Sequence, residues 1–167
     1  DYFKSIDNLS ENFENRDLII ITAESLERTF YTNAEIKKNI NLSLLERNDI
    51  IDFTNINQAK GYTDWTIAGI VASNCGLPLV HYSFYSNFNC LTDLLSKRKY
   101  NLTTIQGTSP VFAGNGNFYK IHNVRKIIGK NEISSFFSEK KIESSYWGIH
   151  DHVVLDYAAD QIKNLEN

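Results

Sequence analysis

Methionine is absent from the 167 residues, and the chain begins with Asp1. A complete translation product starts with methionine, so we expect this chain to be part of a longer protein. Long apolar runs are also lacking, since none approaches the roughly 20 residues that a transmembrane helix needs. No basic segment followed by an apolar leader is present, which predicts a soluble segment without an export signal of its own.

Charge of one sign is not concentrated anywhere in the chain. The 17 basic and 20 acidic residues leave a formal net charge of -3, with no basic stripe. Because nucleic-acid binding requires a positively charged patch, we expect no nucleic-acid partner. A hydrophobic content of 42% is sufficient for one sizeable core. We therefore predict a polar lead-in at residues 1–16 and a single globular domain over residues 17–167.

Strand and helix patterns alternate along that domain. The first strand is continuously apolar, which is typical of a parallel strand covered on both faces. On the last helix, four apolar residues share a face: Leu155, Ala158, Ile162 and Leu165. The alternation predicts an α/β layered sandwich with a mostly parallel sheet. The predicted strands are 17–25, 48–55 and 100–106, the predicted helices are 64–74, 90–99, 117–124 and 151–165, and a loop is predicted at 107–116.

Two side chains that carry an oxygen atom lie at positions where ligands bind to such a sheet. Glu24 ends the first predicted strand, where it is either a metal ligand or an acid that caps the next helix. Thr66 lies near the start of the helix at 64–74, where backbone N–H groups would stabilise an alkoxide and a phosphoryl oxygen. Alternatively, Thr63 or Asp64 is the N-cap of that helix, and Thr66 has no chemical role. Spacing alone leaves both pairs of alternatives open, and Thr63 remains a rival nucleophile to Thr66.

Cysteines and histidines are few. Cys75 and Cys90 lie 15 residues apart, a separation that allows a disulfide, although two buried thiols are an equal alternative. The stretch His150-Asp151-His152 resembles a metal cluster, but side chains at consecutive helical positions point in different directions. We therefore expect a solvated pair there. For His81 and His122 the sequence indicates no partner.

Six stretches of the chain resemble, in the same order, segments of the bacterial phosphoglycerol and phosphoethanolamine transferases. These are sulfatase-like enzymes of the alkaline phosphatase superfamily. The resemblance covers most of residues 17–165, and the Ala-Glu-Ser-Leu-Glu and Trp-Thr-Ile-Ala-Gly motifs are its most specific parts. The stretches are LIIITAESLERTF, FTNINQ, WTIAGIVASNCGLPL, CLTDLLSKRKYN, IQGTSPVFAGNGNFYKIHNV and YWGIHDHVVLDYAADQI.

The resemblance implies an α/β/α sandwich, of which residues 17–167 would be the N-terminal part, incomplete at the C-terminus. It implies a catalytic domain that faces the periplasm or the outside of the cytoplasmic membrane. The membrane anchor would be formed by transmembrane segments outside this chain. The implied reaction transfers a head group from a phospholipid donor to a glycan acceptor in two displacements at phosphorus.

The resemblance also assigns residues. Glu24 matches a ligand of a catalytic divalent metal such as Zn or Mn. Thr66 matches the threonine that both binds this metal and forms the phospho-threonine intermediate. It implies substrate contacts for Asn115 and His122. In an export compartment, it further implies that Cys75 and Cys90 form a disulfide.

The chain departs from the family pattern at two places. Tyr62-Thr63-Asp64 replaces the usual Gly-Thr-Gly, and Asn115 replaces a common lysine. The family's Asp-His metal ligands and a substrate-side histidine come later than Leu165, so we expect these 167 residues alone to bind metal weakly and to turn over no lipid. An alternative is a catalytically inactive glycan-binding or scaffold domain with the sulfatase fold. A true sulfatase is disfavoured, because Cys75 lacks the Cys-x-Pro-x-Arg surroundings of a formylglycine precursor.

Overall fold

The computed structural model describes residues 16–26, 29–38, 48–51, 53, 61–79, 89–138 and 141–165. The chain divides into two compact units, Asp1–Gln58 and Ala59–Asn167, and each is described by itself. The single domain expected over residues 17–167 stays a prediction.

The described part of the first unit contains two one-turn helices, α1 (Thr29–Thr32) and α2 (Ala34–Lys37). Asn33 separates them and is the N-cap of α2. Its Oδ1 accepts hydrogen bonds from the backbone N–H of Glu35 at 2.9 Å and of Ile36 at 3.3 Å. An asparagine cap of this kind satisfies N–H groups that a helix start leaves without intrahelical partners.

The predictions of strands at 17–25 and 48–55 are wrong for the described residues. The side chains of residues 18–21 are 54 to 72% exposed, and no strand is formed there. Of the second segment, residues 48–51 and 53 are described, and they contain a turn but no strand. A strand needs a hydrogen-bonded neighbour and cover for its apolar side chains. The described part of this unit supplies neither.

The second unit alternates helices and strands along the chain. The helices predicted at 64–74, 90–99 and 151–165 and the strand predicted at 100–106 are confirmed, with ends that differ by no more than three residues. The helix predicted at 117–124 begins two residues earlier, inside the predicted loop. The elements are α3 (Thr66–Cys75), α4 (Leu91–Lys97), β1 (Thr103–Ile105), a 3-10 turn (Phe112–Gly114), α5 (Asn115–Ile121), β2 (Lys126–Ile128), α6 (Lys130–Phe136), β3 (Ser144–Ser145), β4 (Gly148–Ile149) and α7 (Asp151–Lys163).

Two short strand pairs are formed. Strands β1 and β2 are parallel, with Thr103 opposite Lys126 and Ile105 opposite Ile128. Because α5 lies between them in the chain, they form a β-α-β unit, which is the connection that parallel strands require. Strands β3 and β4 form an antiparallel hairpin. The β-α-β unit agrees with the predicted α/β class.

The core of this unit consists of two clusters of buried side chains. The first joins α3 to α5 and to two residues that precede α4 in the chain. The second joins β2, α6, β4 and α7. Members of the first cluster are Ile67, Ala68, Val71, Leu79, Cys90 and Phe118, and members of the second are Ile128, Ile133, Ile149, Val153 and Tyr157.

Helix α7 buries a different face from the predicted one. Leu155 is 52% and Leu165 is 85% exposed, whereas Val153 and Tyr157 are buried. Positions 153 and 157 are also one helical turn apart, so they form a competing apolar stripe. The Tyr157 ring packs edge-on against Phe136 with centroids 5.0 Å apart. A large aromatic ring buries more apolar area than a leucine, which favours this face.

Candidate active site

Thr66 is the first residue of α3. The N-cap is Trp65, in an extended conformation (φ -134°, ψ 160°), and its side chain makes no capping hydrogen bond. The N-cap role considered for Thr63 or Asp64 is therefore wrong. Trp65 O accepts the first intrahelical hydrogen bond, from Gly69 N at 2.9 Å. The half-buried Thr66 hydroxyl group thus lies at the positive end of the helix dipole.

The loop before α3 contains the residues that depart from the family pattern. Tyr62 has a positive φ of 52°, and its carbonyl oxygen accepts a hydrogen bond from Leu79 N at 3.0 Å. The Tyr62 ring meets Trp65 edge-on at 6.4 Å. A glycine adopts a positive φ without strain, whereas a tyrosine there costs about 1 to 2 kcal/mol. The usual glycine of the family pattern at this position therefore suits the conformation better than tyrosine does.

A buried polar network lies beside the disulfide. Cys75 and Cys90 are bonded to each other, so the structure contains the expected disulfide. Asp93, in the first turn of α4, accepts hydrogen bonds from Cys90 N at 2.9 Å and from Asn123 Nδ2 at 2.7 Å. His122 Nδ1 lies 2.7 Å from Asp93 Oδ2, and His122 Nε2 lies 3.6 Å from Cys90 Sγ. An ionised carboxylate only accepts, so Nδ1 of His122 carries the hydrogen in this pair.

The two predicted substrate residues are both buried. His122 is 1% exposed, and both of its ring nitrogens contact core groups. Asn115 is 2% exposed at the start of α5, and its Oδ1 has no hydrogen-bond partner among the described residues. The 3-10 turn that leads into α5 contacts α3, the helix that begins with Thr66. A buried oxygen that lacks a partner can accept a hydrogen bond from a ligand.

Glu24 belongs to the first unit, whereas Thr66, Asn115 and His122 belong to the second. The Glu24 carboxylate is exposed in a turn that follows the apolar residues 18–21. Of the predicted site residues, the structure brings His122 into contact with the disulfide of Cys75 and Cys90.

Sequence reasoning missed Asp93 and the relation between two exposed histidines. Asp93 follows Cys90 by three residues at a helix start, which is the signal of a capping carboxylate. Glu143, His150 and His152 each offer one metal-ligating atom, and these atoms lie within 4.8 Å of one another. The group formed by Cys75, Cys90 and His122 is equally close, but the two sulfurs are bonded to each other.

Among the described helices, none is both long and apolar enough to cross a membrane.

The β-α-β unit and the helices of the second unit define an α/β protein. A protein of the alkaline phosphatase superfamily from Vibrio parahaemolyticus has a similar structure, with a TM-score of 0.50 and 19% identity over 58% of this chain and 24% of that chain. The sulfatase family model matches residues 16–167, and the chain belongs to the sulfatase family. This confirms the relationship that the sequence motifs indicate.

Curated relatives carry a more specific name. Phosphoglycerol transferase I of Escherichia coli (strain 536) is 34% identical in an alignment 160 residues long, which covers 89% of this chain and 21% of that protein. Phosphoglycerol transferase I of Shigella boydii serotype 18 is 33% identical over 159 residues, with the same coverage. The chain thus spans about a fifth of the length of the curated relatives it matches.

Proposed function

We propose that the protein transfers a phosphoglycerol or phosphoethanolamine head group from a membrane phospholipid to a periplasmic or surface glycan, with Thr66 as the nucleophile. The transfer would take place on the outer side of the cytoplasmic membrane. Relatives named phosphoglycerol transferase I align with 89% of the chain, which favours this chemistry over other sulfatase-family reactions. Phosphoglycerol is the first choice of head group for the same reason.

The position of Thr66 carries the proposal. It is the first helical residue, and the tryptophan before it has no side-chain oxygen with which to cap the first turn. The N-terminus of a ten-residue helix attracts a phosphoryl group, because backbone N–H groups and the helix dipole both favour negative charge there. The same field stabilises the charge that develops on the threonine oxygen during attack.

We propose, as the sequence resemblance implies, that Glu24 and Thr66 are ligands of a divalent metal such as Zn or Mn. Each residue offers one oxygen ligand, a carboxylate oxygen in Glu24 and a hydroxyl oxygen in Thr66. Such an ion, when bound, supplies charge stabilisation to the phosphoryl group. Two ligands from this chain correspond to the partial metal site that the sequence resemblance implies.

Each of the two displacements balances at phosphorus. Thr66 Oγ1 loses its proton and forms a bond to the phosphorus of the head group, and the bond from phosphorus to the diacylglycerol oxygen breaks. Diacylglycerol leaves as that oxygen gains a proton. The oxygen of a glycan hydroxyl group then forms a bond to the same phosphorus, and the bond from phosphorus to Thr66 Oγ1 breaks. Oγ1 gains the proton that the glycan hydroxyl group loses, which restores the free threonine.

Asn115 is the better candidate of the two predicted substrate residues. Its buried Oδ1 lacks a partner among the described residues and could accept a hydrogen bond from a hydroxyl group of the head group. His122 is 1% exposed, and its Nδ1 is already paired with Asp93, which makes it the weaker candidate. We therefore propose that Asn115 contacts the head group of the phospholipid donor.

The test uses the protein at its full encoded length, incubated with phosphatidylglycerol vesicles. We expect a peptide containing Thr66 to gain the mass of a phosphoglycerol group, as measured by tandem mass spectrometry. Thr66→Ala should abolish this adduct and lower transfer about a thousandfold or more. Thr63→Ala is the matched control, because Thr63 lies three residues away, and it should retain the adduct.

Each outcome decides between the alternatives. An adduct on Thr63 would show that the assignment of the nucleophile to Thr66 is wrong. No adduct together with measurable glycan binding would favour the inactive scaffold with the sulfatase fold. Release of sulfate from an aryl sulfate would favour a sulfatase, although Cys75 is held in a disulfide and unavailable as a formylglycine precursor. With phosphatidylethanolamine vesicles, the adduct mass identifies the alternative head group.

A further inference from the structure

We propose that Glu143, His150 and His152 form a binding site for a divalent transition metal of the zinc class, separate from the metal ligands proposed above. One ligand atom from each of these residues lies within 4.8 Å of the other two. Two imidazoles and one carboxylate form a donor set that zinc prefers in proteins. The proposal does not depend on the transferase activity.

The hairpin register brings Glu143 and His150 together. Ser144 of β3 pairs with Ile149 of β4, so the next position of the antiparallel ladder places Glu143 opposite His150. The backbone continues this pairing, because His150 N donates to Glu143 O at 3.1 Å. Their side chains also meet, with His150 Nδ1 3.3 Å from Glu143 Oε2. Two of the three donors are therefore adjacent because of strand pairing.

The third donor is adjacent because His150 is not helical. His150 is the N-cap of α7 and has extended dihedral angles (φ -66°, ψ 147°). Asp151 and His152 are the first two residues of α7, so the direction of the His150 side chain relative to that of His152 is set by the turn from extended into helical backbone. The rings of His150 and His152 are accordingly 6.2 Å apart. The expectation that these side chains point in different directions, which assumed helical geometry at both positions, is wrong.

Close packing holds the backbone beneath these donors. Gly148 and Ile149 are buried, and Ile149 N donates to Gly107 O at 2.9 Å. The approach is so close that a Cβ atom at Gly148 would lie 2.5 Å from Gly107 O. The hairpin end is thus fixed against the loop after β1. Ligands on a fixed backbone lose less conformational entropy when they bind an ion.

An open side remains for water or an exogenous ligand. His150 and His152 line a cleft together with Thr108, Trp147 and neighbouring residues, and both histidines are exposed to solvent. Three protein ligands with an open fourth position are typical of zinc sites that bind a further group. A bound ion would break the direct contact between the side chains of His150 and Glu143, and each of these residues would then form one bond to the ion.

The test is a calorimetric titration of this chain with Zn²⁺. We expect His150→Asn, His152→Asn and Glu143→Gln each to weaken binding at least about tenfold, since each removes one of three ligands. Asp151→Asn is the matched control: it lies between the two histidines but outside the group of donors, so it should leave the affinity unchanged. Circular dichroism of each variant should show an unchanged fold, because all three ligands are exposed.

A second measurement locates the ion. Addition of Zn²⁺ should shift the imidazole proton resonances of His150 and His152, while those of the buried His122 remain in place. The proposal is overturned if the chain shows no zinc binding at about millimolar concentration, or if Asp151→Asn weakens binding as much as the ligand variants do. Shifts of His122 in place of His150 and His152 would also overturn it, because the ion would then lie at the disulfide.

Discussion

At the scale of single residues, Asp93 is the most connected buried group in the described structure. Its two carboxylate oxygens accept from a backbone N–H, a side-chain amide and the His122 ring. Burial of a carboxylate is costly unless its hydrogen-bonding capacity is satisfied. The three donors meet this requirement, and in doing so they connect α4 to the end of α5.

We expect Asp93→Ala to lower the free energy of unfolding by about 3 kcal/mol or more, because it leaves the donors around it buried without an acceptor. Urea unfolding followed by circular dichroism measures the change. Asp156→Asn, an exposed acidic residue on α7, is the control and should change stability by less than about 0.5 kcal/mol. Equal effects of the two substitutions would show that the buried network adds nothing to the free energy of unfolding beyond what an exposed acidic residue adds.

At the scale of elements, α3 is defined by its two ends. It begins at Thr66 without a side-chain cap and ends at Gly76, which has a left-handed conformation with φ 68°. Gly76 N donates to Ala72 O at 2.9 Å, and this hydrogen bond closes the last turn. Gly69 lies within the helix, and among the described residues an added Cβ there would meet the Thr63 carbonyl oxygen alone, at 3.8 Å. Packing against this described part of the chain therefore does not require a glycine at position 69.

The two glycines of α3 should respond to alanine with opposite signs. Gly76→Ala should destabilise the chain by about 1 kcal/mol, because alanine is strained at positive φ. Gly69→Ala should stabilise it by up to about 1 kcal/mol, because alanine is the better residue inside a helix and the added Cβ makes an ordinary contact. Thermal unfolding of the two variants in parallel gives the signs. Loss of stability in Gly69→Ala would indicate a packing restriction that the structure does not contain.

At the scale of the whole molecule, each core cluster of the second unit has a tyrosine with a raised pKa, either packed against the cluster or within it. Burial raises the pKa of Tyr119, which packs against the first cluster, although a hydrogen bond with Thr104 partly opposes this. Burial also raises the pKa of Tyr157 in the second cluster, and the nearby carboxylates of Glu132 and Asp160 add to the effect. Both phenols thus stay protonated in the folded chain at a pH where the unfolded chain releases their protons.

The folded state therefore binds more protons than the unfolded state above about pH 10, the ordinary pKa of tyrosine. Stability from these groups is fully present below that pH and should fall as the pH rises further, by up to about 1.4 kcal/mol per pH unit for each tyrosine. Urea unfolding between about pH 8 and 11 measures this slope. Tyr157→Phe should make the slope shallower, whereas Tyr146→Phe, at a residue 94% exposed, should leave it unchanged.

Local patterns were sufficient where a segment carries its own signals. The helix from Thr66 to Cys75 was predictable from its apolar run and from Gly76 and Pro78 behind it. The same is true of α4 and of β1. The family motifs likewise identified the sulfatase relationship, because they consist of contiguous residues whose identity does not depend on their surroundings. A disulfide between Cys75 and Cys90 was an open alternative until that relationship implied an oxidising compartment.

The sequence by itself thus determined the α/β class, the helices α3, α4, α5 and α7 of the second unit and membership in the sulfatase family, since these follow from local periodicity and contiguous motifs. Only the tertiary structure decided which stripe of α7 is buried, that Asp93 pairs with His122, and that Glu143 meets two histidines. Each of these depends on contacts between residues distant in the chain, or on one backbone conformation such as that of His150. The sequence offers several apolar faces for one helix and several possible partners for one polar side chain. Hydrophobic burial and hydrogen bonding in the folded chain decide which face is buried and which partners meet.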